Sequence, residues 1–309
     1  MSRIAVILNP NALGVRRSPG LADRLRRVTD GAGEVVVTRT PAELAAAARR
    51  FAGEGVDVVA TCGGDGTNLS TVTELVRAYG PHSDRLPTFA ILRGGTVNTI
   101  AQNLAIHGRP EEILARIVAA ARNGGVPTVG QDLLEVNGLF GFLFASLMGA
   151  RFLEAYYGGI HPGVVSATWL TARTVVSSFV QGRTARWLFS PADVTLTVDG
   201  EALPTEAYRL LVASTVPDVG MGFRVPWQAG REPGRFHLVA SGLSTTSMAL
   251  QLHRVFRGRP LSGRPHLDRL ATRVHVRFAT PQTYTLDGDL FRATDVEIVT
   301  GPRLAVARV

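Results

Sequence analysis

The chain has 309 residues, 45% hydrophobic and 19% charged, a composition that suits two folded domains and excludes a disordered or low-complexity segment. It contains no lysine: all 33 basic residues are arginine, set against 25 acids for a net charge of +8. A Walker-A loop, a protein-kinase ATP site and a Schiff-base enzyme each require a lysine, so these are excluded, and any phosphate must be held by backbone N–H groups, arginine or a metal.

The basic balance suits phosphorylated ligands, an anionic membrane or nucleic acid. No aromatic-rich basic stripe or helix-turn-helix pattern is present, and no nucleic-acid partner is expected. Paired arginines such as Arg26–Arg27 and Arg49–Arg50 read as solvated helix faces. Cys62 is the one cysteine; its apolar surroundings predict a buried strand residue, and a lone thiol fits a reducing compartment. The N-terminal apolar run is too short for a signal peptide, and the longest uncharged apolar stretch (139–150) is too short to span a bilayer. A cytoplasmic protein, at most peripherally bound to a membrane, is expected. Nothing in the sequence specifies an oligomer.

Along the chain, residues 3–8 form a short apolar strand closed by the turn signal Asn9-Pro10. An arginine-rich helical stretch follows, then a strand over 34–38. Thr40, Pro41 and Glu43 mark a capped helix start, and Gly53 or Gly55 its end. A buried strand at 56–62 leads through GGDGT (63–67) into a helix over 68–79. A strand over 88–92 leads through Arg93-Gly94-Gly95-Thr96 into the helix "VNTIAQNLA", and a further helix begins at Pro110. This alternation predicts a mostly parallel sheet with right-handed crossovers. From about residue 128 the pattern changes to period two: "DLLEVNG", "DVTLTVDG", "YRLLVAST", "FHLVAS", "RVHVRF", "TYTLDGD" and "VEIVTG" read as antiparallel strands. Helices are expected at 164–182 and 244–256. The predicted fold is an α/β nucleotide-binding domain over 1–128 and a β-rich, sandwich-like acceptor domain over 129–291, with 292–309 returning to the first.

GGDGT concentrates three glycines around Asp65. At the carboxyl end of a strand and the start of a helix, such a loop can aim N–H groups inward as an anion nest, with Gly64 expected at positive φ. A carboxylate there would repel phosphate, so Asp65 is expected to meet a cation such as Mg²⁺ carried by a nucleotide. A capped structural turn is the competing reading. The second glycine–threonine loop one strand later, Gly94-Gly95-Thr96, weighs against it.

GGDGT, a later GTxN followed by alanine, the Asn9-Pro10 turn, the 222–226 stretch and a late Asp-Gly-acid together resemble the diacylglycerol kinase catalytic-domain family, which includes bacterial lipid kinases and sphingosine and ceramide kinases and is distantly related to NAD kinases. The resemblance implies ATP and Mg²⁺ as cofactors and a lipid hydroxyl as acceptor. It places nucleotide contacts at Asn9, Thr38, Gly63, Gly64, Asp65, Gly66, Thr67, Gly95, Thr96 and Asn98, with Arg93 toward phosphate. It makes Asp289, supported by Asp287, the general base that takes the acceptor's proton. Asp199-Gly200-Glu201 spells the family's late motif letter for letter but lies too early in the chain, and reads as a hairpin turn.

Three family acids are replaced. Ser70 stands where a glutamate is usual, Thr99 where an aspartate follows GTxN, and the segment at Arg151 carries no acid; Arg93 also replaces a proline. A catalytically weak or inactive nucleotide-binding protein of the same fold therefore remains an alternative, as does a kinase with a soluble, NAD kinase-like acceptor. The apolar run 141–148 and the 164–182 helix are candidate acceptor lining or plain core.

Overall fold

The computed structural model describes residues 3–81, 83, 85–157 and 183–309. The chain divides into two compact units, Met1–Leu133 with Gly301–Val309, and Leu134–Thr300. The first therefore runs past the expected boundary at 128, and the returning segment starts later than 292, because one uninterrupted strand carries the chain back. The helix expected at 164–182 lies outside the described residues.

In the first unit, β1 (Ile4–Leu8), β2 (Gly33–Val37), β3 (Val58–Cys62) and β4 (Thr88–Ile91) form a parallel sheet in the order β2-β1-β3-β4. Val306, near the end of β15 (Asp289–Ala307), pairs with Phe89 of β4 in parallel. Every residue of β1 and β3 is buried, as a sheet covered on both faces requires. The connecting helices are α1 (Leu13–Arg16), α2 (Leu21–Thr29), α3 (Pro41–Glu54), α4 (Asp65–Tyr79), α5 (Thr99–Asn103) and α6 (Pro110–Arg122). The start of α3 follows its sequence signals. The Thr40 hydroxyl accepts from Glu43 N at 3.2 Å, and the Glu43 carboxylate reaches back one residue further than a capping box predicts, to Arg39 N at 2.6 Å. Gly55 ends α3 in the left-handed region at φ 64°.

In the second unit the strands pair antiparallel among the described residues wherever a register is defined. β7 (Leu143–Leu147) pairs with β11 (Leu210–Ser214) and β14 (Arg273–Leu286). β11 continues to β12 (Phe236–Ser241) and β13 (His266–Ala271). β14 also pairs with β15 and with β8 (Ala192–Val198), which holds β9 (Glu201–Ala202) and β10 (Glu206–Tyr208). β5 (Thr128–Val136) meets β6 (Leu139–Gly141) across a short turn. Helices α7 (Met148–Tyr157), α8 (Arg183–Leu188), α9 (Thr245–Leu250) and α10 (Leu252–Phe256) complete the described elements. The α/β class, parallel first and antiparallel after, is as expected. One reading changes: "RVHVRF" and "TYTL" are one strand, whose register with β15 shifts between Arg277 and Gln282. Pro281 lies in that interval, where it can offer no N–H to a ladder. The 141–148 run places Leu143–Leu147 wholly in the core. Among the described residues no helix is long and apolar enough to cross a membrane.

Candidate functional site

The carboxyl ends of β1, β2, β3 and β4 bring the expected nucleotide residues of the first unit together. Asn9 follows β1, and its N–H donates to Cys62 O at 3.0 Å. Its side-chain amide donates to the Thr67 hydroxyl at 3.0 Å, tying the first loop to GGDGT. Thr38 follows β2 and is buried, its N–H donating to Leu8 O at 3.0 Å. Thr96 is exposed at the tip of the second glycine loop.

The two glycine loops lie backbone on backbone, and this contact explains the glycines. A Cβ on Gly95 would fall 2.5 Å from the Gly64 Cα, and one on Gly94 would fall 2.7 Å from the Gly63 N. Neither neighbour is a side-chain tip that could swing away. Gly64 itself sits at φ −92°, extended backbone open to any residue, so the expected positive φ is not what selects glycine there. Gly14 belongs to the same contact, since a Cβ on it would strike the Gly94 carbonyl. Sequence reasoning missed Gly14 because a single glycine in a helical stretch reads as a neutral position.

Asp65 already has partners within the protein. It is the first residue of α4, and its carboxylate turns to the next loop, where it accepts from Thr99 N at 2.9 Å and Ile100 N at 3.3 Å. The negative charge is thereby spent on the N–H groups that open α5. No group of three metal-ligating side chains occurs among the described residues. Asn98 stands at φ 53°, a conformation asparagine tolerates, and clamps Gly95 from both sides: its Oδ1 accepts from Gly95 N at 3.0 Å and its Nδ2 donates to Gly95 O at 2.9 Å. The Asp65 side chain therefore ties the start of α4 to the start of α5, while Asn98 fixes the second loop internally.

What remains for a ligand is backbone and arginine. The N-cap of α4 is Gly64 and no side chain caps it; Thr67 N turns back to Gly64 O at 2.9 Å, and the positive end of the helix dipole suits an anion. Arg93, at the end of β4, occupies φ 53° although it is neither glycine nor asparagine, a conformation that costs free energy. Among the described residues its buried Nε has no hydrogen-bond partner. Cys62, just before GGDGT, is fully buried, and burial pushes its thiol up to about 12, which makes it an inert wall rather than a nucleophile.

The acidic pair lies in the second unit, on the hairpin joining β14 to β15. Asp287 and Gly288 have φ of 48° and 97°, the left-handed pair of a type I′ turn. Asp287 is buried and its carboxylate is fully occupied: Oδ1 accepts from Phe142 N at 3.0 Å and Leu143 N at 2.8 Å. This is a strand-edge anchor, not a group free to reach a substrate. Asp289 is exposed and its carboxylate forms no hydrogen bond or ion pair among the described residues, while partial loss of hydration raises its carboxyl above the usual aspartate value. The literal motif at 199–201 is built as the same kind of turn, with φ 51° at Asp199 and 87° at Gly200. There the Asp199 Oδ1 takes Thr272 N and Arg273 N, each at 2.9 Å, and Glu201 is paired with Arg269 at 2.9 Å. Only the 287–289 turn leaves its second acid unpaired.

Comparison with known proteins bears on the fold. No curated protein matches the chain. Among solved structures the fold is similar to a diacylglycerol kinase from Bacillus anthracis str. Sterne, with a TM-score of 0.64 at 15% identity over 100% of this chain and 97% of that one. A second structure from that strain reaches a TM-score of 0.71 at the same identity and coverage. An NAD kinase from Archaeoglobus fulgidus, solved in complex with ATP, is similar at a TM-score of 0.50 and 14% identity, over 97% of this chain and 92% of that one. The resemblance read from the glycine loops is also found directly: residues 3–125 match the family model of the diacylglycerol kinase catalytic domain.

Proposed function

We propose that the chain is an ATP-dependent lipid kinase, transferring the γ-phosphoryl group of ATP to a lipid hydroxyl. The observation that carries this reading is the pair of glycine loops, packed backbone on backbone beside an uncapped helix start, within the segment that matches a kinase catalytic domain. Phosphoryl transfer asks mainly for positioning and charge neutralisation. In this reading the first-turn N–H groups of α4 and the Arg93 guanidinium hold the nucleotide's phosphates, the role a lysine has elsewhere. Mg²⁺ would be carried on those phosphates, with Asp65 already engaged by the second loop. Asp289, unpaired and with a raised pKa, takes the proton of the acceptor hydroxyl.

The test is to incubate the purified protein with labelled ATP and a cellular lipid extract dispersed in detergent, then to weigh the labelled product. A labelled lipid supports the reading and names the acceptor. A second reading, a soluble acceptor, draws on the likeness to the NAD kinase fold; label appearing on NAD in the absence of detergent would favour it. ATP binding without transfer to either acceptor would favour a nucleotide-binding protein without kinase activity, the reading prompted by the missing acids at Ser70, Thr99 and Arg151.

A further inference from the structure

From Arg254 to Arg264 the chain places four arginines, at 254, 257, 259 and 264, in eleven residues; no acid occurs anywhere between Glu232 and Asp268. All four lie in α10 and the loop that follows it. Arg257, Arg259 and Arg264 are exposed, and none of the four forms an ion pair among the described residues. The flanking acids are engaged elsewhere: Glu232 with Arg235 at 3.8 Å, and Asp268 with His237 at 2.7 Å.

Large apolar groups stand beside these charges. Leu250 at the end of α9 is 62% exposed, and Phe256 at the end of α10 is 45% exposed. Phe256 is held from behind by the Phe223 ring, 4.8 Å away, while its outer face meets solvent. The platform is fixed rather than loose. Gln251 joins the two short helices to the loop, donating to Ser262 O at 2.9 Å and accepting from Ser262 N at 2.7 Å. The Arg254 Nε donates to Pro260 O at 2.8 Å. Arg224 N donates to Val255 O at 3.3 Å, which brings a further exposed arginine to the same corner.

We infer that this corner of the second unit is a docking surface for an anionic membrane: Leu250 and Phe256 enter the interface while Arg224, Arg257, Arg259 and Arg264 meet acidic headgroups. A solvated charged face needs no exposed leucine and phenylalanine within it. A protein-binding apolar patch needs no cluster of exposed arginines close by in the chain. Together they match the chemistry of a bilayer surface, where apolar insertion and headgroup attraction add. The inference rests on the second unit alone and stands whether or not the chain transfers phosphate.

The test is sedimentation of the full chain with vesicles of equal parts phosphatidylglycerol and phosphatidylcholine, and with pure phosphatidylcholine. The wild type should bind the former, more weakly as salt rises, and leave the latter in the supernatant. Arg257→Gln with Arg259→Gln should weaken binding roughly 30-fold, from about one headgroup interaction per arginine. Leu250→Ser with Phe256→Ser should weaken it about 10-fold or more at unchanged charge. Arg27→Gln with Arg49→Gln, two exposed arginines of the first unit, removes the same charge and should change little. Unaltered thermal unfolding confirms that each variant is folded. The inference is overturned if the control pair weakens binding as much as the 257/259 pair, since net charge alone then explains it. Equal binding to both vesicle types overturns it too, as does competition by millimolar inorganic phosphate at constant ionic strength, which would mean a site for the free anion.

Discussion

If the glycine loops are selected by close approach, Gly95→Ala and Gly64→Ala should behave oppositely although they face each other across the same contact. The new methyl on Gly95 would lie 2.5 Å from the Gly64 Cα and 3.0 Å from the Asn98 Oδ1. Carbon atoms in contact stand at about 3.5 Å or more, so the loops must part by roughly 1 Å. Asn98, which grips Gly95 at both its N–H and its carbonyl, resists that movement. Overpacking of this kind costs about 1–3 kcal/mol. The methyl on Gly64 would meet the Gly95 Cα at 3.5 Å, an ordinary contact, with a backbone at φ −92° that alanine adopts freely. Its cost should be near zero, and the less flexible unfolded chain could return about 0.4–1 kcal/mol. Urea unfolding followed by circular dichroism measures both. Gly95→Ala should also lower turnover about 100-fold, since a shift of 1 Å in a positioning loop has that scale of effect. If Gly64→Ala destabilised as much as Gly95→Ala, close packing of the loops would not be the reason for the glycines.

Asp289→Asn should lower turnover by about 10²-fold with ATP affinity intact, whereas Asp199→Asn and Glu201→Gln should leave turnover unchanged; the reverse pattern would make the 199–201 turn the site. Because the Asp289 carboxyl is raised above its usual value, it stays protonated, and useless as a base, to a higher pH than an ordinary aspartate. Wild-type turnover should therefore fall as pH drops through that raised value, a limb that Asp289→Asn lacks. Asp287→Ala strands the buried N–H groups of Phe142 and Leu143 and should cost about 1–3 kcal/mol of stability, while Asp289→Ala should cost little; equal losses in urea unfolding would contradict the division of roles between the two acids. Asp268, bonded by His237 and Trp227 and partly buried, is held well below the usual carboxylate range. A lowered folded-state pKa gives stability that is present at neutral pH and is lost as pH falls below roughly 4. The wild type should lose stability with acid more steeply than Asp268→Asn, and parallel acid curves would refute the assignment.

Local chemistry made most of the first unit legible in the sequence. Short apolar runs buried on both faces, the Thr40-Pro41-Glu43 start and the Gly55 stop each act through neighbours in the chain, so one-dimensional reading sufficed. The same holds for the Asp-Gly turns, whose left-handed pairs are encoded in two adjacent residues. What sequence could not supply were partners distant in the chain. That Gly64 needs no positive φ, that Gly14 and Gly94 share one contact, and that Asp65 is satisfied by Thr99 and Ile100 depend on two loops meeting after the sheet has formed. Of two turns alike in spelling and backbone, only tertiary contacts decide which acid is left unpaired. Glu201 meets Arg269 of another strand, while Asp289 meets no charge among the described residues; the difference lies 68 residues away along the chain, beyond the reach of any local pattern.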